Sequence, residues 1–488
     1  MQPIYPFLLL VLLICGCRGK GEKEAVRESK RAHHEDPRMA RVEIPSFETE
    51  WDPSSTALPD ELNPKDEARW RWRLKTTVGA YLTFGERDAR WNAAALDLLT
   101  NFALATFKTN DLGTFARNAV EAGEAALEAG CNDPFVRYCT TWFKAPLSRK
   151  SPSAEAMQST AAALYGTKYP PIRKFYAFHR AAQVLKEESG KTNPPALWEL
   201  RINALNCLHS AIEDPTIPAE EALPAIDNFL EPVQRARSFS LPAFKRLEPV
   251  MTNRWANEAL TWHIVGAMNI EFAWEARGSG FSSTVTDEGW QGFAEHLSIA
   301  EKALERSWKI KPLEKAAIEM LRVELGQGQG RQRMELWFNR AMQLNPNSYE
   351  AANAKLFYLE PKWHGSAEEM LAFGRQCVNS EIWGGRVPLI LLDAHVALAA
   401  WAKRNNQTAN YWTQQGVWPD IRSSFEKFFK LNPKDSSWRH NYAYYAYQCQ
   451  EYAAFLKQVE LMGPVNYPYF GGKEKFDLML QTAKRFAR

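Results

Sequence analysis

Pro312 and Pro346 stand 34 residues apart, and each closes a stretch of helical spacing, WKIKP at 308–312 and MQLNP at 342–346. Proline ends a helix because it lacks the N–H that the next turn needs and pushes the preceding residue out of helical geometry. A third such ending, FKLNP at 429–433, follows 87 residues after the second. A period of this length means that one supersecondary unit recurs. A single pair of helices cannot bury its apolar face alone, so such units must stack on their neighbours.

Counting back from Pro346 in the register of a tetratricopeptide (TPR) repeat places Ile318, Leu321 and Leu325 on a first helix. Phe338 and Ala341 then take the large and small packing positions of a second. The same count gives Ala300 and Leu304 before Pro312, and Ala122 and Ala129 before Pro134. After Pro433, Trp438, Tyr445 and Ala454 fall at aromatic, aromatic and small positions. A small residue lets two helices approach while a bulky one fills the facing groove. The expected fold class is all-α, an irregular TPR-like solenoid of helical hairpins. Generic helical packing with coincidental prolines is the alternative, and the 87-residue spacing implies insertions in the array.

The rest of the chain agrees with helix. In Asp88–Lys108, Trp91, Ala94, Ala95, Leu98, Phe102 and Leu104 lie close to one 3.6-residue stripe, among strong helix formers. The stretches 115–129, 153–164, 171–187, 196–212, 253–277 and 292–308 are patterned alike, and alternating β-branched runs are missing. Composition agrees too: 45% apolar and 24% charged residues exclude wholesale disorder and a polytopic membrane protein. A net charge of +3 is too balanced for a protein that binds nucleic acid by neutralising phosphates.

The first residues, MQPIYPFLLLVLLICGCRGK, carry an apolar stretch from Ile4 to Ile14 that is too short to span a bilayer and suits the core of a signal peptide. Its end, Leu13-Ile14-Cys15-Gly16-Cys17, resembles the lipobox of bacterial lipoproteins, which needs a small residue before the modified cysteine. Gly16 meets that need for Cys17. The resemblance implies cleavage after Gly16, lipidation of Cys17 and a place in the cell envelope, with Arg18 favouring the outer membrane. An n-region without Lys or Arg departs from the pattern, and a secretory signal with incidental cysteines is the alternative.

Residues 17–64 read as a lipidated, disordered tether punctuated by Pro37, Pro45, Pro53, Pro59 and Pro64. A flexible coil of this length would reach roughly 35–40 Å. Residues 18–41 hold eight Lys/Arg against five Asp/Glu, and 42–64 hold none against six, so the first half could rest on anionic headgroups or serve as a spacer. The prolines at 215, 218, 224, 232, 242 and 249 mark the expected boundary between an N-terminal helical region, 65–250, and a TPR-like region, 251–488.

WHIVGAMNIEFAWEARGSGF (262–281), DEGWQGF (287–293), ELGQGQGR (324–331), MELWFNRAM (334–342) and YLEPKWHGSAEEMLAF (358–373) together resemble a family of TPR-like bacterial proteins of unknown function. The resemblance covers about 250–400 and implies a helical, TPR-like fold and no particular reaction.

Motifs with defined chemistry are scarce. GQGQG at 326–330 lies between two helical stretches and lacks the Lys-Ser/Thr ending of a phosphate loop, so it reads as an inter-helix turn. The nine histidines form no His-Glu-x-x-His, and no Gly-x-Ser-x-Gly occurs. No catalytic residue, metal site or cofactor is assigned. Cys131, Cys139, Cys207, Cys377 and Cys449 are too scattered for a disulfide framework; one Cys131–Cys139 bond or five buried thiols remain open.

What remains is a set of tryptophans with basic neighbours: Trp274 and Arg277; Trp290; Trp363 and His364, preceded by Lys362; Trp383 and Arg386. Aromatic faces with Arg or Lys suit peptides or sugars, while the plainer reading has the rings filling grooves between helices and the cations meeting helix-end carbonyls. The expected function is an exported, lipid-anchored scaffold for a protein partner. The alternatives are a surface glycan-binding lipoprotein and a hydrolase or lyase on an α/α-barrel.

Overall fold

The computed structural model describes residues 40–44, 64–105, 112–147, 152–190, 192–233, 237–280, 282–405 and 410–487. The expected signal peptide, Cys17 and most of the expected tether lie outside the described residues. All described elements are helical, and the chain divides into two compact units, Met1–Ala256 and Asn257–Arg488.

The first unit contains α1 (Pro64–Leu74), a π turn (Lys75–Gly79), α2 (Ala80–Phe84), α3 (Asn92–Leu104), α4 (Leu112–Glu128) and α5 (Pro134–Leu147). These are followed by α6 (Ala154–Tyr165), α7 (Pro171–Ser189), α8 (Pro195–Glu213), α9 (Ala219–Val233) and α10 (Arg237–Arg254). Successive helices pack as neighbours, α3 on α4, α4 on α5, α6 on α7 and α7 on α8. Asp133, 1% exposed, accepts hydrogen bonds from the free N–H groups of Phe135 and Val136 at the start of α5, from Glu86 N–H and from the Tyr169 hydroxyl. One carboxylate therefore starts a helix and ties three segments together.

Three expectations for this unit are corrected. The proline cluster is not a linker: Pro224 and Pro232 lie in α9, and Pro242 and Pro249 lie inside α10. Each proline removes one backbone bond, but buried Ile226, Phe229, Phe244, Leu247 and Met251 hold these helices by packing. The chain divides after Ala256, just past the expected 250. Nor is all of 17–64 a free tether, because residues 40–44 are docked on the unit and Val42 is buried. The register counted from Pro134 is off as well: Ala122 and Ala129 sit at the margin, whereas Ala119, Gly123 and Ala126 face inward. Pro134 opens α5 instead of closing a repeat. A Cβ on Gly123 would lie 2.3 Å from the Thr140 hydroxyl, so the α4–α5 approach needs glycine there.

The second unit contains α11 (Ala259–Arg277), α12 (Asp287–Ile310), α13 (Glu314–Gln327), α14 (Arg331–Leu344), α15 (Tyr349–Tyr358) and α16 (Ala367–Asn379). After them come α17 (Ile390–Arg404), α18 (Val417–Leu431), α19 (Arg439–Gln448), α20 (Tyr452–Leu461) and α21 (Lys473–Phe486). Helices pair in chain order, α11 with α12, α13 with α14, α16 with α17 and α19 with α20. Among the TPR-like positions, Ala300, Leu304, Leu321, Phe338 and Ala341 are at most 1% exposed in one continuous core, with Ile318 and Leu325 at its margin. After Pro433, however, the counted Trp438, Tyr445 and Ala454 are half-buried, whereas Tyr442, Ala443, Ala446 and Phe455 face inward. GQGQG is a turn between α13 and α14, with Gly328 and Gly330 at positive φ (64° and 108°), where side chains with a Cβ are disfavoured. The five cysteines among the described residues are buried, unpaired thiols, and burial pushes them up from the ordinary thiol range.

Candidate functional site

Most of the singled-out aromatic and basic residues meet in the second unit, but not all in one place. Trp274, near the end of α11, stacks edge-on against Phe293 (5.0 Å between centroids) and Trp363 (5.8 Å). Trp290, on the first turn of α12, packs on the other side of Phe293 and keeps 38% of its surface exposed. The Arg277 guanidinium lies 5.7 Å from the Trp274 ring and 5.2 Å from the Trp290 ring, and it donates to the carbonyls of Gly278 and Gly280. Arg277 therefore both closes the helix end and bridges two indoles. Trp363 also leans on Phe357, and its indole N–H is buried without a hydrogen-bond partner.

His364 stacks on Tyr358 at 4.6 Å, and its Nε2 lies 2.9 Å from the Leu325 carbonyl, at the end of α13. It is a strut between hairpins with one exposed edge. Lys362 pairs with Glu360 at 2.8 Å and covers the Phe357 ring.

Trp383 and Arg386 are elsewhere on the same core. Trp383 packs edge-on against Phe338 and Phe373, and Arg386 lies 4.4 Å above the Tyr349 ring. Tyr349 in turn donates to Asp393 at 2.8 Å, on α17. Burial raises the Asp393 carboxyl to about 7 despite the Tyr349 bond and the Arg386 charge, which oppose the rise.

Three arrangements escaped the sequence reading. His395 Nδ1 lies 2.9 Å from the Tyr411 hydroxyl, and its Nε2 lies 3.1 Å from Asp420, which also receives two prongs of Arg375. Burial works against the Asp420 charge, but His395 and Arg375 outweigh it and hold its carboxyl below the usual range. Both ring nitrogens of His395 are occupied, so the relay joins α16, α17 and α18 as a strut. Secondly, Arg333 gathers Glu301, Glu305 and Glu324, and burial, opposed by Arg333, raises the Glu324 carboxyl.

The third is a stripe on the outer face of α14. Leu336 and Leu344, each 47% exposed, flank Arg340, which lies 4.3 Å from the Trp337 ring and 5.1 Å from the Trp308 ring. The spacing 336, 340, 344 is one helical face, a signal that the sequence does carry. Among the described residues, no group of three His, Cys, Asp or Glu is placed to hold a metal ion, and no helix is long and apolar enough to cross a membrane.

With this geometry in view, the chain was compared with known proteins. No family model matches it, and no curated protein does.

Proposed function

We propose that the protein is a lipid-anchored binding scaffold of the cell envelope whose second unit engages a protein partner. The observation that carries this reading is the outer stripe of α14, two half-exposed leucines flanking an arginine set against two indoles. Arg and Trp supply a disproportionate share of binding energy at interfaces, because they give large contact area with fixed geometry. The Arg277–Trp290 edge has the same composition and would add a second contact. A lipid anchor on Cys17 is part of the reading, and mass spectrometry of the mature N-terminus checks it.

The test is cross-linking in intact cells with a photoreactive residue at Leu336 or Leu344. A single partner protein captured there, and lost on Arg340→Glu, is the expected result. Absence of any cross-linked product from both positions would remove the reading.

One observation favours sugar instead. A shallow surface depression, with free space of only about 10 Å³, is lined by Glu360, Lys362, Met370, Leu398 and Trp401, and Trp401 is 40% exposed. An exposed indole beside an acid–base pair can stack a sugar ring and bond its hydroxyls. Tryptophan fluorescence changing with a glycan in the wild type and not in Trp401→Ala would support this second reading.

A further inference from the structure

Residues 40–44 run extended across the first unit, outside any helix, and the groove that holds them is built in a particular way. Asn206, His209, Ser210 and Glu213 follow one another at helical spacing on α8, whose remaining positions are mostly apolar and buried. Asn206 and Ser210 are 1% and 0% exposed, and a buried polar stripe must find partners. Ser210 and Glu213 find them in the docked segment, and Asn206 finds one in Arg246 of α10. The Val42 N–H donates to the Ser210 hydroxyl at 2.9 Å, and Arg41 pairs with Glu213 at 2.7 Å. Arg246 on α10 donates with one arm to Asn206 at 2.7 Å and with the other to the Ala40 carbonyl at 3.2 Å. Val42 itself is 8% exposed. Near Lys174 of α7, the Glu43 charge offsets part of the cost that burial imposes on the lysine.

We propose that this face of α8 and α10 is a binding groove for an extended peptide of basic–apolar–acidic pattern, with Arg41-Val42-Glu43 as its resident occupant. The division of labour is that of a peptide-reading surface. Side chains fixed on helices satisfy the main chain at Ala40 and Val42, which any sequence supplies. One pocket takes an apolar anchor, and the flanking charges meet opposite charges. Main-chain bonds give affinity and the side-chain positions give selectivity, the logic of extended-peptide recognition generally. The groove is closed in the resting chain because its occupant is covalently attached, which makes the local concentration high. A partner segment of the same pattern would have to displace residues 40–44, coupling its capture to release of the N-terminal strand. This proposal concerns the first unit and stands independently of the partner surface assigned to the second.

The experiment uses the full chain with a protease recognition sequence placed between residues 45 and 63. After folding, cleavage leaves residues 40–44 held by their contacts alone. A fluorescent peptide of residues 38–46 is then titrated by anisotropy. The expected result is uptake by the cleaved protein at least tenfold tighter than by the uncut chain, weakened at least tenfold when the peptide carries Val42→Asp. Glu213→Arg in the protein should reverse the preference, so that a peptide carrying Arg41→Glu binds better than the original. Such a charge exchange would show that the Arg41–Glu213 pair selects the occupant. Loss of helical circular dichroism on cleavage would overturn the proposal, as would a peptide that never binds after its resident has been washed away.

Discussion

The two units hold themselves together over different distances along the chain. In the first, Glu221 on α9 takes both Arg69 and Arg73 of α1, and Arg73 is 148 residues away. Arg173, 2% exposed, reaches back to Thr76 across 97 residues, and Val42 meets Ser210 across 168. Polar ties in the second unit, such as Arg322–Glu271 (51 residues) and Ser307 to the Ala259 carbonyl (48), join the helices of one hairpin or of adjoining hairpins. The first unit is thus closed by buried charges from distant segments, whereas the second is assembled from neighbours. In an array of the second kind stability is a sum of local terms, and in the closed kind it is shared. Both are all-helical, so the difference lies in connection and not in secondary structure.

The sharpest way to break this comparison is Glu221→Ala. It removes the carboxylate shared by two guanidiniums, and breaking a buried ion pair costs about 3–5 kcal/mol. Hydrogen exchange should accelerate throughout α1–α10 and stay unchanged in α11–α21. Equal loss in both units would mean that the units are not separately stabilised.

Acidification should separate the units with opposite signs. Burial lowers His179 to about 4, so the folded first unit resists a proton that the unfolded chain accepts. The contribution of His179 is complete above pH 6.5 and is lost as pH falls toward 4, by on the order of 3 kcal/mol. Asp393, raised to about 7, keeps a proton that the unfolded chain releases. Its contribution to the second unit is complete below about pH 3.8 and is lost as pH rises toward 7, by a similar amount. Glu324, also raised, adds to this trend, while Asp420, held low, acts only below the window. Denaturant titrations read by unit-specific exchange at pH 4.5 and 7 check the signs. His179→Gln should flatten the first slope and Asp393→Asn the second.

Gly374 sharpens the comparison at smaller scale. A Cβ there would lie 2.8 Å from the Leu391 Cα, forcing α16 and α17 apart. Gly374→Ala should cost roughly 1–3 kcal/mol, the usual toll of overpacking, and raise exchange only in α15–α18. The smallest effect belongs to Arg340→Ala. An exposed cation–π contact is worth about 0.5–1 kcal/mol, so the melting temperature should barely move while partner cross-linking falls.

How much of this was readable beforehand depends on distance in the same way. Phe338, Ala341 and Leu304 could be assigned because their packing partners lie one helix away and recur with the repeat. Trp274 and Trp363, 89 positions apart, touch because each is close to a helix end of stacked hairpins. Trp383 packs elsewhere, and nothing in local spacing tells a ring packed on Phe338 from one packed on Phe293. Asp420, His395 and Tyr411 sit on three different elements, and only packing brings them within bonding distance. The docked strand was missed for the same reason. Its charges, and the prolines at 37 and 45 on either side of it in sequence, read as solvated chain until the polar stripe of α8 is seen to need partners.

The Glu221 clasp also has a consequence in time. A ribosome makes Arg73 first and Glu221 148 residues later. At about 5–20 residues per second, that leaves the arginine waiting roughly 7–30 s for its acid. The hairpins after Asn257 need wait only for the next helix to emerge, so the later-made half of the molecule has the shorter delay between synthesis and native contact.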